Sequence, residues 1–215
     1  LRCSINMIIA KTENYLKPFN QYWAEFANHI AIETEQFIFL QQLLVAAYTE
    51  PQRHYHTVQH IVECLELFHQ VKAQLNDPVA VELAIWFHDA VYNPQAKDNE
   101  QQSAQLMREH CADILTQSVL DKVSQWIIAT QEHQPSKQHD LNYLLDIDLA
   151  ILASSAERFA EYEQQIQQEY AWVDAEIYKV KREEVLQHFY QMQPLYQTEY
   201  FRKHFEQNAK VNLSK

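Results

Sequence analysis

"DPVAVELAIWFHDAVY", residues 77–92, carries apolar side chains on nearly every side of a helix, with His88 and Asp89 set among them. A helix that is apolar all round is enclosed by neighbours rather than laid on a surface. The stretch therefore predicts a many-helix assembly with this segment near its centre and two titratable groups buried in it. A buried carboxylate without a partner costs several kcal/mol, so Asp89 needs a cation, a proton or strong donors. Core hydrogen bonds to backbone or tyrosine groups are one solution; a metal ion is the other.

The remainder of the 215-residue chain agrees with the helical reading. It contains no glycine, which removes the easiest residue for type I′ and II′ hairpins and makes P-loop or dinucleotide glycine signatures impossible. Its abundant Ala, Leu, Gln and Glu lose little rotamer freedom in a helix. Apolar positions recur at helical spacing through 17–29, 35–49, 57–75, 78–92, 99–114, 117–132, 155–171, 174–191 and 198–210. Breaks fall at Pro51, at 76–78, at 93–94, at 134–140 and at Pro194. Asp98 with Gln101 resembles a capping box. With no distinct linker, repeat or low-complexity tract, the expectation is one all-α domain over 1–215. Within it, 50–152 would form the metal-site core and 155–213 an additional C-terminal helical layer, with 1–15 disordered or a vector-derived or upstream extension.

Charge and cysteine content narrow the function classes. Seventeen basic against 29 acidic residues give a net charge of −12, which opposes a phosphate backbone as partner, so nucleic acid is not expected. Cys3, Cys64 and Cys111 are an odd set without CxxC spacing, which argues against a disulfide framework or a thiolate zinc site and fits a reducing cytoplasm. The longest wholly apolar run, 43–48, is too short for a membrane span. A homodimer through an apolar helix face is compatible with the composition.

Adjacent helical residues point about 100° apart, so His88 and Asp89 can bracket an ion but cannot complete its coordination. "RHYHTVQHIVECL" (53–65) offers His56 and His60, spaced to share one helix face, with Cys64 continuing it. "LNYLLDIDLAIL" (141–152) offers Asp146 and Asp148, of which one is expected to face inward. His60, His88, Asp89 and one of these aspartates make a mixed nitrogen and oxygen set suited to Mn²⁺, Mg²⁺, Fe²⁺, Co²⁺, Ni²⁺ or Zn²⁺. Beyond the Pro94 loop, Asp98 reads as a helix cap and Glu100 as the group able to orient water or a ligand histidine. Arg53 and Arg182 are the cations whose guanidinium forks match phosphate oxygens. Tyr55, Trp86, Tyr92 and Trp172 stand at spacings typical of core aromatics.

The segments "RHYHTVQHI", "AIWFHDAVYNPQAKDNEQQSA" and "LDIDLAIL" together resemble the predicted bacterial metal-dependent phosphohydrolases of the HD superfamily. The similarity continues through "EYAWV", "YKVKREEVL" and "QPLYQT", covering most of the chain after about residue 20. The resemblance implies an HD-domain-like helical bundle that uses metal-activated water to cleave a phosphate ester or anhydride of a small molecule, a nucleotide or related metabolite. It implies His60, His88, Asp89 and Asp148 as ligands, Asp148 rather than Asp146 because Leu149 follows it. His56 is similar in placement to the general-acid histidine of cyclic nucleotide phosphodiesterases, although Thr57 stands where those enzymes carry Asn. His133 resembles the extra histidine that some HD proteins direct toward a second metal or the substrate. Two rival readings keep the same residues: a non-catalytic metal-containing helical module that binds a nucleotide or partner protein, and an iron-dependent HD-type oxygenase.

Overall fold

The structure, a computed structural model, describes residues 2–30 and 32–214, with side chains from residue 13 onward. The expectation for residues 1–15 falls mostly on side chains outside the described set, as does Cys3; Cys64 and Cys111 are free, buried thiols. The described residues are all-helical, with no strand: α1 (Arg2–His29), α2 (Thr34–Tyr48), α3 (Val58–Val71), α4 (Pro78–Phe87), α5 (Asn99–Cys111), α6 (Gln117–Ala129), α7 (His139–Asp148), α8 (Ala156–Glu169), α9 (Ala175–Gln191), α10 (Glu199–His204) and α11 (Glu206–Leu213). No helix among these residues is long and apolar enough to cross a membrane. The chain forms two compact units, Leu1–Glu132 and His133–Lys215.

In the first unit α4 is the central element. Asp77 caps it by accepting from the Ala80 amide at 3.1 Å, and Pro78 occupies the first turn, where its missing N–H costs nothing. Ala80, Val81 and every residue from Leu83 to Phe87 are buried. Trp86 meets Phe19 at 4.9 Å and Trp23 at 5.3 Å, both edge to face. Large side chains so enclosed contribute about 1.5–3 kcal/mol each through burial. The expected helix over 78–92 ends earlier, with His88 as its C-cap. Beyond it, the carbonyls of Asp89 and Ala90 accept from Arg53 and that of Val91 from Ser103, so side chains from elsewhere satisfy groups that a continued helix would have paired.

Two further starts differ from expectation. α3 begins at Val58, not 57, because Thr57 has an extended backbone and its hydroxyl accepts from the Gln59 amide. His56 therefore precedes the helix, and its relation to His60 is not that of one face of a helix. α5 has Asp98 at its N-cap but no side-chain capping bond. Asn99 closes the Pro94 loop instead, accepting from the Asn93 amide at 2.9 Å and donating to the Asn93 carbonyl at 3.0 Å.

The second unit packs Leu195, Tyr196, Phe201, Ala209 and Leu213 among its buried residues. α7 runs into a 3-10 turn over Leu149–Ala153, and Asn212 of α11 donates to the carbonyls of Leu152 and Ser154. Lys210 donates to the carbonyls of Phe189, Tyr190 and Met192, closing the C-terminal end of α9. Trp172, expected in a core, is 53% exposed, because the α8–α9 connection lies at the surface and α9 buries none of its residues fully.

Candidate metal centre

Three side chains of the first unit converge. His60, in the first turn of α3, and His88, at the end of α4, bring their Nε2 atoms to 3.1 Å. The Oδ2 atom of Asp89 stands 3.1 Å from His88 Nε2 and 3.4 Å from His60 Nε2. Both histidines are buried, and Asp89 keeps a narrow exposed edge. His88 Nδ1 lies 2.9 Å from the Ile85 carbonyl. A carbonyl only accepts, so Nδ1 carries a proton, and Nε2 is the ring atom turned toward Asp89 and His60. A carboxylate oxygen and an imidazole lone pair in contact repel unless positive charge stands among them.

The triangle has the dimensions of a coordination set. Donors that each sit about 2.0–2.2 Å from a common ion stand about 3.0–3.5 Å from one another in octahedral or tetrahedral arrangement. The three observed separations fall in that interval. A single proton bridges one edge of such a triangle; a divalent ion serves all three. The residues thus fit a metal, and the donor chemistry, two nitrogens and an oxygen, is that of a borderline or hard divalent ion. Burial opposes ionisation of Asp89, but the charges of His88 and His56 and hydrogen bonds from His60 and His88 outweigh it and hold the carboxyl well below the usual range. Cys64 sits beside His60, its sulfur 3.7 Å from Nδ1.

The surrounding residues are tied down densely. Arg53 is fully buried: its Nε donates to Glu50 at 2.9 Å, one terminal nitrogen to the carbonyls of His56 at 3.1 Å and Asp89 at 2.7 Å, and the other to that of Ala90 at 3.0 Å. Its guanidinium lies over the rings of Tyr48 and Tyr92. Tyr92 stacks on His56 with centroids 4.1 Å apart, and the His56 ring lies 6.1 Å from that of His60. Ser103 accepts from the Val91 amide at 3.0 Å and donates to its carbonyl at 3.2 Å. Glu100 is half-buried in the first turn of α5. Tyr48 donates to the Trp86 carbonyl at 2.9 Å, and burial first, then the Asp89 charge, keeps its phenol protonated. Tyr48, Glu50 and Ser103 escaped the sequence reading because their partners are main-chain groups or an arginine already assigned elsewhere. Spacing encodes nothing of such contacts.

In the second unit the two aspartates of α7 have different partners. Asp146 is almost wholly buried and accepts from the amides of Gln197 and Thr198 and from the Thr198 hydroxyl, at 2.7–3.1 Å. Burial still pushes its carboxyl up to about 6, with these hydrogen bonds pulling the other way. Asp148 meets His133, Nε2 to Oδ2 at 2.7 Å. His133 has φ 50°, the left-handed region, where a non-glycine residue needs such tethering. In a chain without glycine that backbone position falls to a histidine. Arg182 grips Glu163 through two nitrogens and lies over Tyr162; desolvation works against its charge, but Tyr162 and Glu163 outweigh this and hold it protonated.

The chain matches no family model, no curated protein and no solved structure.

Proposed function

We propose that this chain is a metal-dependent phosphohydrolase of the HD-superfamily type, acting on a phosphate ester or anhydride of a small molecule such as a nucleotide. One observation carries the reading: two imidazole nitrogens and a carboxylate oxygen converge within 3.4 Å, with His88 Nδ1 engaged by the Ile85 carbonyl and its Nε2 facing the meeting point. His60, His88 and Asp89 would hold the ion, and Asp148 is the fourth ligand we assign, on the sequence pattern. Asp146 is the weaker candidate because its oxygens already serve the 197–198 backbone. His133 meets the Asp148 carboxylate at 2.7 Å, a partner of the kind that commonly orients a metal-binding carboxylate.

A divalent ion held there would supply Lewis acidity toward a phosphoryl oxygen and would lower the pKa of a water. The chain's own groups do the remaining work. His56, half-buried and oriented by its stack on Tyr92, donates a proton to the leaving oxygen. Glu100 orients the water. The chemistry needs a cation for the substrate phosphate, a role for which the sequence offers two candidates, Arg182 and Arg53.

The test is elemental analysis of protein purified without chelator, beside a His88→Ala/Asp89→Ala variant, then phosphate release from a panel of phosphate esters and nucleotides with Mn²⁺, Mg²⁺, Co²⁺ or Ni²⁺. Near-stoichiometric metal that disappears in the variant, together with metal-dependent phosphate release, is the expected result. No metal in the parent after reloading overturns the reading. Tight metal without turnover across the panel would favour a non-catalytic module.

A further inference from the structure

We propose that Arg53 is a positioning residue that locks the ligand-bearing turn and His56 into a single geometry, and that it is not the cation that receives substrate phosphate. The inference rests on the metal-centre reading above. Three of its four acceptors are main-chain carbonyls, and they belong to the two segments that carry the site: His56 on one side, Asp89 and Ala90 on the other. A guanidinium satisfies carbonyls at that spread because its donors project in a fixed planar fork; an ammonium offers one point of charge. Its side chain has no exposed area, so an incoming phosphate would have to strip these carbonyls of their donor and leave buried acceptors unpaired.

The same side chain acts on His56 a second time, through the rings. Tyr48 and Tyr92 both lie against the guanidinium, and Tyr92 stacks on the His56 imidazole at an interplanar angle of 28°. Arg53 thus fixes the backbone of His56 by a hydrogen bond and its ring by way of Tyr92. On the other segment it grips the carbonyl of Asp89 itself, so the Cα from which that carboxylate projects cannot drift away from His60 and His88. The turn has no helix to hold it, since α4 stops at Phe87. Arg53 and Ser103 together replace the missing helical bonds, and of the two Arg53 reaches both segments.

The experiment measures Mn²⁺ affinity by titration calorimetry and the visible spectrum of the Co²⁺-loaded protein for the parent, Arg53→Lys, Arg53→Met and Arg53→Ala, each checked for helicity and a cooperative melt. The expected result is folded variants that bind Mn²⁺ about ten- to a hundredfold more weakly, as loss of an outer-sphere partner does, with an altered Co²⁺ spectrum. Added methylguanidinium should restore part of the lost affinity in Arg53→Ala. Variants that melt lower yet keep the parent's Mn²⁺ affinity and Co²⁺ spectrum overturn the proposal and leave Arg53 a packing residue. A parent that binds neither ion overturns the metal-centre reading itself. Should the Arg53 variants fail to fold, Glu50→Gln decides. It loosens Arg53 from the partly exposed end of its network, and an Mn²⁺ affinity weakened roughly two- to fivefold supports the proposal, whereas an unchanged one overturns it.

Discussion

Glu82 lies on α4, the helix that delivers His88, in a largely enclosed position within electrostatic reach of Glu25 and His29 of α1 and Lys72 after α3. Burial pushes its carboxyl up to about 7 from the ordinary 4.5, with His29, the Trp86 side chain and Lys72 pulling it partly back and Glu25 adding to the rise. A group whose folded value is raised binds its proton more tightly in the folded state. Below about pH 4.5 both states hold the proton and there is no penalty; as pH rises through 7 the folded protein must ionise Glu82 in a poorly solvated place. The displacement from 4.5 to about 7 corresponds to about 3 kcal/mol lost by pH 8, trimmed to about 2–3 kcal/mol by residual exposure. Glu82→Gln keeps the shape and removes the titration. Urea unfolding of parent and variant at half-unit intervals from pH 4 to 8 should show near-equal stability at pH 4 and the variant ahead by about 2–3 kcal/mol at pH 8. Titrations elsewhere, those of the site included, are common to both proteins and cancel in the difference. A difference that stays flat across the range, or one that favours the parent at high pH, would show that Glu82 is not held in a desolvated position.

The two aspartates of α7 should separate cleanly. Asp148→Ala is expected to lower bound Mn²⁺ measured by elemental analysis, whereas Asp146→Ala keeps the metal but loses about 2–4 kcal/mol in urea unfolding, because the amides of Gln197 and Thr198 are left without their acceptor. Ser103→Ala removes both bonds to Val91 and should cost about 1–2 kcal/mol in the same assay. Saturating Mn²⁺ at about a hundred times its Kd should add about 2.7 kcal/mol to the unfolding free energy. Chelator should reverse that gain, and the His88→Ala/Asp89→Ala variant should lack it; calorimetric melting checks both.

Much of this protein can be read along the chain because helices are local. The apolar surround of 77–92 is a property of consecutive residues, and it announces both the buried helix and the anomaly of His88 and Asp89 within it. The absence of glycine and the proline breaks locate most helix limits for the same reason. Its spacing from His56 singles out His60, yet His56 precedes α3, so that spacing does not describe one helix face. Helix ends were less legible. Whether α4 continues past Phe87 depends on whether Arg53, far back in sequence, takes the next carbonyls. Whether α3 starts at 57 or 58 depends on one hydroxyl turning back to an amide.

Composition and periodicity are sums over neighbours in sequence, so they suffice for an all-helical fold with a titratable pair at the end of its buried central helix. Convergence is a relation between residues 28 or 36 positions apart, and only packing decides it: His60 Nε2 against His88 Nε2, and Arg53 against the carbonyl of Asp89. The same holds for the divided fates of Asp146 and Asp148. They are two residues apart with identical side chains, yet one is spent on the backbone near residue 198 and the other on His133. Nothing in their local sequence distinguishes a carboxylate that braces a turn from one that meets a histidine. The distinction arises when folding brings distant donors within about 3 Å, the range over which a hydrogen bond has direction and strength.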